Sequence, residues 1–334
     1  MRNKSIFILL LLAGCSTARQ GAIQNDKAAL GESAYRIWLE NGHQGSAADF
    51  LAWLKTPAVS AAQASPVPPP GESIELSGYT SITSLGCKAD GSTDCGRILS
   101  NYIAAQPVNA IINLFIPAGK FYFGSTLTIE DRMVNLRGAG RGVAIIYVAE
   151  GVHGIFINRR KGIMSDYTME KFSLVAYGKK KPGFSGIRMW QRGVLRDLEI
   201  QGFSGYGVHI DGYLGGKEDN HDASFSKVYD CFIAACGADG ILIDGKDGNA
   251  CITQNCDIRN NGGWGLRESS FLGGSHYGNM FHANAKGAYT IDHGTAMVLI
   301  AGGYTEGDQP PSLITRSTTV LHPGQHFAGI KYKD

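Results

Sequence analysis

The chain is 334 residues long, with 45 glycines, a hydrophobic share of 43% and a formal net charge of +2. Glycine is close to double its usual share of about 7% while the apolar content is ordinary, a combination that suits short strands joined by many turns. Charges of both signs are mixed along the chain, so the basic footprint that nucleic acid requires is missing and a nucleic-acid partner is excluded.

The first segment, MRNKSIFILLLLAGC at 1–15, has a basic start at Arg2 and Lys4, an apolar run from Ile6 to Leu12 and small residues before Cys15. That is the layout of a secretory signal, and the apolar run is too short to span a bilayer as a helix. Leu12-Ala13-Gly14-Cys15 resembles a bacterial lipobox. The resemblance implies that Cys15 is lipidated and anchors an exported outer-membrane or cell-surface lipoprotein to a membrane. Six further cysteines stand at 87, 95, 231, 236, 251 and 256. An even number in an exported chain permits disulfides, and no CxxC spacing occurs, so no metal site is assigned.

Residues 16–57 are expected to form a small helical hairpin. Ala34, Ile37 and Trp38 recur at helical spacing, Asn41-Gly42 stops the first helix, and Ser46 with Asp49 imitates a capping box for the second. The pattern resembles a short module of phage tail fibres and tailspikes and of bacterial collagen-like surface proteins, which implies a homotrimer and a virion tail as the alternative location. Residues 58–73 read as a Pro/Ala/Ser linker. From 74 to 322 short alternating strands punctuated by glycine take over, with a tail at 323–334. A strand near Ser84, a tight Asp90-Gly91 turn and a helix from about Asp94 with Ile98, Leu99 and Ile103 on one face come first, followed by LFIPAGKFYFGSTLTI and VNLRGAGRGVAIIYV.

These blocks, with DGSTD, IPAGKFYF and LRGAGRG in this order, resemble the N-terminal section of the pectate-lyase-like, right-handed parallel β-helix proteins, a group of polysaccharide lyases, glycoside hydrolases and phage tailspikes. The fold class implied is all-β, a right-handed parallel β-helix whose open end is capped by the helix. Cys87 and Cys95 stand where that group commonly has small or acidic residues, and a local disulfide is expected there.

A repeat supports the solenoid independently. DLEIQGFSGYGVHIDG from Asp197 and DCFIAACGADGILIDG from Asp230 share six residues at identical spacing, and the unit recurs at Asn255 and, slipped by one residue, at Asn279. Separations of 24 to 33 residues are one rung plus variable loops, and stacked rungs bury what a single rung cannot. Alternation points Leu198, Ile200, Cys231, Ile233, Cys256, Ile258, Met280 and His282 inward, and Glu199, Phe232, Asp257 and Phe281 outward. Cys231 over Cys256 is expected to be a stack of reduced thiols, and His282 a satisfied core histidine.

Side chains repeating about every 4.8 Å along a solenoid face suit an extended polymer, so the expected partner is a bacterial or plant polysaccharide. Hydrolysis of a glycosidic bond uses two carboxylates. One candidate set is Asp211, Asp244 and Asp247, the first two at the same register of successive rungs, where like charges would raise one pKa and set an acid beside a base. The other is Glu199 and Asp257, two rungs apart, with Phe232 between them as a sugar platform and Arg259 alongside. His209, Arg267 and Trp264 complete the expected substrate-binding residues. Asp-Gly turns and a solvated sheet face account for the same residues without chemistry. A lyase would draw a base or calcium-binding carboxylates from the loop 213–224, with Glu218, Asp219, His221 and Asp222; otherwise no cofactor is expected. The expected function is a surface or virion-associated polysaccharide-binding protein that cleaves glycosidic bonds, and the alternative is a non-catalytic adhesin or tail-fibre protein.

Overall fold

The computed structural model describes residues 77–307 apart from 159–165, 177–180, 213–220 and 293–296, the backbone of three later strands, and a few positions between 39 and 49. Cys15, the linker, most of the hairpin, and Glu218 and Asp219 lie outside the described residues. The chain divides into two units, Met1–Glu72 and Ser73–Asp334. In the first, the backbone N–H and hydroxyl of Ser46 each donate to Asp49 Oδ2 at 2.6 Å, and the Asp49 N–H donates back to Ser46 Oγ at 3.3 Å, the reciprocal pattern of a capping box.

The second unit is the parallel β-helix expected from the sequence. Among the described residues the strands form three sheets of ten (A), eight (B) and nine (C) strands, and from Ile111–Ile116 to Leu313–Thr315 successive strands fall in A, then B, then C, one of each per coil. The rung Lys227–Tyr229, Phe232–Ala234, Ile241–Gly245 pairs in parallel with Val194–Arg196, Glu199–Gln201 and Val208–Asp211 before it and with Ile252–Gln254, Asp257–Arg259 and Trp264–Ser270 after it. A last strand, Ile330–Tyr332, pairs with Leu313–Thr315, so the solenoid extends into the segment expected as a tail.

The repeated Asp and Asn now have a physical cause. Asp197, Asp230 and Asn255 form the corner between sheets A and B with φ of 49°, 55° and 53°. That left-handed conformation is costly for most side chains and best tolerated by Asp, Asn and Gly. In the next coil Gly278 takes the corner at φ 59°. Asn279 consequently occupies the place of Cys256, and the whole strand shifts by one residue relative to the expected repeat. Because side chains alternate with period two, the shift reverses both faces: Phe281 is fully buried, whereas Met280 and His282 lie on the outer face, where the His282 side chain is 42% exposed and faces Glu306 at 3.9 Å. The other inward assignments hold, with Leu198, Ile200, Ile233 and Ile258 fully buried.

Gly240 shows why the first of the two repeated glycines is needed. A Cβ there would stand 2.5 Å from Ile258 Cγ2 and 2.7 Å from the Gly265 carbonyl, so only glycine lets the next coil approach. A short polar ladder supports that corner from inside: Asn261 Oδ1 accepts from the Cys236 N–H at 3.0 Å, and Asn284 Oδ1 accepts from Asn261 Nδ2 at 2.9 Å. The six cysteines from Cys87 to Cys256 are buried free thiols. Cys87 and Cys95 are therefore free thiols rather than the expected bridge.

The capping helix is Cys95–Ala104, with Leu99 and Ile103 buried against the first coil. The strand expected near Ser84 is absent there, because 82–86 are turns; it lies earlier, at Thr80–Ser81. Asp94 joins cap to coil, its carboxylate accepting from the N–H groups of Arg97, Gly124 and Ser125 and from the Ser125 hydroxyl at 2.7 to 3.3 Å. Burial pushes this carboxyl up, and the hydrogen bonds outweigh it, leaving the pKa below the ordinary value. Asp94→Ala is expected to cost about 1–2 kcal/mol, as N-cap losses do. A depressed pKa contributes stability that is present above the ordinary aspartate pKa of about 3.9 and lost as pH falls through the folded-state value. Thermal melts of the wild type and the variant should therefore converge in acid.

Candidate functional site

The outer face of sheet C brings ionisable and aromatic side chains of successive rungs together. Each strand there buries its first and third residues and turns the second outward: Ile187-Arg188-Met189, Val208-His209-Ile210, Ile241-Leu242-Ile243. Register aligns Phe156, Arg188, His209, Leu242, Arg267 and Thr290 in one column. Asp211 and Asp244 face each other one rung apart beside it, as their spacing in the sequence implies. Gly212 permits the loop behind them. A Cβ at Gly212 would lie 2.0 Å from the backbone of Asp247 and Gly248, and the Asp247 N–H donates to the Gly212 carbonyl at 2.8 Å.

The two aligned aspartates differ in setting. Asp211 is 5% exposed, and its Oδ2 accepts from Arg188 Nη2 at 2.7 Å and from the indole N–H of Trp190 at 2.7 Å. Burial pushes its pKa up, but the Arg188 hydrogen bonds, the His209 charge and the Trp190 donor bring it below the ordinary value. Asp244 is more open, with 34% of its side chain exposed, and its Oδ1 lies 3.0 Å from His209 Nε2. The acid beside a base that like-charge repulsion would create is therefore not built from this pair, because Arg188 and the Trp190 indole keep Asp211 ionised. Among the described residues the raised carboxyls are Asp247 and Asp239. Burial lifts Asp247, the nearby Asp222 adds to it, and Lys246 opposes. Burial lifts Asp239 against the Trp264 N–H and the charge of Arg267, whose Nε stands 3.0 Å away.

Aromatic groups wall this face. Trp190 stacks on His221 with ring centroids 3.6 Å apart and meets Phe156 edge-on at 4.7 Å, while Tyr206 leans on His209 at 5.1 Å. Ligand atoms of His209, Asp211 and Asp244 lie within 4.8 Å of one another. Calcium takes six to eight oxygens, whereas this set brings a nitrogen and a carboxylate already neutralised by Arg188, so it does not suit that ion.

The remaining candidates lie elsewhere. Glu199, Phe232, Asp257 and Arg259 belong to the outer face of sheet B, in the register expected, so the two candidate sets occupy different faces. Asp257 is paired with Arg259, whose Nε donates at 2.8 Å and whose Nη2 makes a second bond. Trp264 is 8% exposed and packs into the wall of the solenoid, which removes it as a sugar platform. Sequence reasoning missed Arg188 and Asp239 and did not join Trp190 to Asp211. The signal was available: aligning Gly186-Ile187-Arg188-Met189 with Gly207-Val208-His209-Ile210 assigns Arg188 to the outer column.

Fold and site together define a parallel β-helix protein with one face crowded by carboxylates, basic groups and aromatic rings. No family model matches the chain, and a search of curated proteins finds no significant match. Several solved structures are similar. The N-terminal fragment of bacteriophage phi29 gene product 12 superposes with a TM-score of 0.56 at 14% identity, over 76% of this chain and 53% of that one. The enzymatically active domain of bacteriophage CBA120 tailspike protein 2 gives 0.52 at 10% identity, over 77% and 46%. The catalytic unit of a GH87 α-1,3-glucanase from Streptomyces thermodiastaticus gives 0.51 at 15% identity, over 77% and 56%. This chain spans about half the length of each, and at such identities the likeness is one of fold.

Proposed function

We propose that the protein binds a polysaccharide along the outer face of sheet C and hydrolyses its glycosidic bonds there. The observation that carries this reading is the contrast between Asp244 and Asp247, three residues apart at the end of one strand. Asp247, with its raised pKa, is suited to donate a proton to the leaving oxygen, and the more open Asp244 to act as base or nucleophile. Asp211, neutralised by Arg188, fixes that guanidinium and the Trp190 indole beside the other two carboxylates. Trp190, Phe156 and Tyr206 offer apolar surface to sugar rings. A glucanase and an enzymatically active tailspike domain among the similar structures support the same reading.

For location, the segment ending at Cys15 supports an exported lipoprotein, whereas the tailspike domain among the similar structures supports a virion tail. A second reading, glycan binding without cleavage, is favoured by the ion pairing of Asp211 and Asp257.

The test is chain scission as a function of pH, followed by viscosity. The rate is expected to fall at high pH as Asp247 loses its proton through its raised pKa. Asp247→Asn should lower the rate by about 10²–10⁴, the usual worth of a positioned acid, and remove the alkaline limb. Scission that keeps its alkaline limb in the variant would assign the proton to another group, and absence of scission at every pH, with binding intact, would leave the adhesin reading.

A further inference from the structure

The outer face of sheet B carries a pocket of about 390 Å³ lined by Arg141, Glu199, Asp230, Phe232, Asn255 and Asp257, with the edge of Cys231 at its base. Ligand pockets commonly span about 300–1,000 Å³, so the space accommodates one or two sugar rings. It lies on a different face from the carboxylates assigned to cleavage, and nothing in that chemistry uses it.

Its construction is specific. Arg141 reaches from the turn 139–143 to pair with Asp197 at 3.0 Å and to donate to the Asp230 carbonyl at 3.4 Å, closing the N-terminal end. Glu199 is held by the Ser173 hydroxyl at 2.5 Å and by Gln201 Nε2 at 3.0 Å, which fixes its carboxylate beside the aromatic ring of the next rung. Phe232 is the ring, half-buried on a strand whose other residues are aliphatic. Arg259 lies over Phe232 at 5.5 Å but is not among the residues lining the pocket. Its charge is consumed by Asp257.

The charge balance selects the occupant. Three carboxylates and one guanidinium line the space; Arg141 is paired with Asp197 and Asp257 with Arg259. Glu199 and Asp230 have no cationic partner among the described residues. An anionic glycan would meet two uncompensated carboxylates, whereas a positively charged group would complete them. We propose that this pocket is a second, non-catalytic carbohydrate site that takes an amino sugar with a free ammonium group, its ring against Phe232 and its nitrogen between Glu199 and Asp230. The inference stands apart from cleavage: it needs neither Asp244 nor Asp247, and it would place a polymer on two faces of one solenoid.

The experiment is calorimetric titration of the full chain with glucosamine oligomers and with their N-acetylated counterparts, at low and moderate salt. Glucosamine oligomers are expected to bind, more weakly as salt rises. The Glu199→Gln/Asp230→Asn double variant should lose at least about tenfold in affinity, equivalent to about 1.4 kcal/mol, as should Phe232→Ala. Asp230→Asn keeps a residue type that tolerates the corner, and Phe232→Leu supplies a second apolar test should the alanine variant fold poorly. Asp244→Asn should leave this binding unchanged, which separates it from the cleavage site. No binding of glucosamine oligomers, equal binding of the acetylated forms, or affinity untouched in the variants would each overturn the assignment.

Discussion

Asp244→Asn is expected to reduce kcat for polysaccharide cleavage by about 10²–10⁴ while leaving glycan affinity within a few-fold of the wild type, the pattern for a group that acts only in the transition state. The substitution is nearly isosteric, and the amide oxygen still serves as partner to His209, now 3.0 Å from Oδ1. What it removes is the anion that would attack or deprotonate. Asp211 cannot replace it, because its Oδ2 is held by Arg188 and Trp190 and the residue is 5% exposed. Initial rates and calorimetric affinity measured on the same preparation check both halves of the expectation.

The second large effect lies inside the solenoid. Glu268 and His276 are both fully buried and face each other at 3.3 Å. They belong to a buried polar group: His276 Nδ1 is 3.0 Å from the Thr253 hydroxyl, which accepts from Asn279 Nδ2 at 2.8 Å, and Glu268 Oε1 accepts from the Ser270 N–H at 3.1 Å. Truncating one member strands its partner in a medium with no water to replace it. Glu268→Ala should therefore cost about 3–5 kcal/mol, the range for breaking a buried pair from one side, and Glu268→Gln less, because it retains an acceptor for Ser270. Denaturant midpoints of the three proteins test the ordering. A fall of less than about 1 kcal/mol for the alanine variant, the worth of an exposed pair, would contradict it.

The architecture was legible in the sequence because a solenoid writes its geometry at fixed spacing. The corner at Asp197, Asp230 and Asn255 selects Asp and Asn through its left-handed φ, and the close approach at Gly240 selects glycine. The misreading of Met280 and His282 came from the same rule: glycine also satisfies the corner, so Gly278 could replace Asn without altering the fold while shifting every side chain by one. Glu268 was passed over although alternation with Leu266 and Ser270 points it inward. A glutamate is rarely buried, and the partners that receive this one are the Ser270 N–H and His276, the latter contributed by the next rung.

The site was less legible for a topological reason. Glu199 and Asp211 are twelve positions apart, yet the turn between their strands carries the chain from sheet B to sheet C, so they serve different faces. Arg188 and Asp211 are separated by 23 residues and come together only because consecutive coils stack in register. Pairing of Asp211 with Asp244 followed from the repeat; its neutralisation by Arg188 and its hydrogen bond from Trp190 needed the third dimension.

The measurement that tests the central claim most directly is product analysis after incubating the protein with a panel of neutral and acidic polysaccharides, scoring new reducing ends alongside the ultraviolet absorbance of a newly formed unsaturated uronate. Hydrolysis on the face of sheet C requires reducing ends without that absorbance, and their loss in the Asp244→Asn variant. Unsaturated product, or scission that survives the substitution, would contradict it.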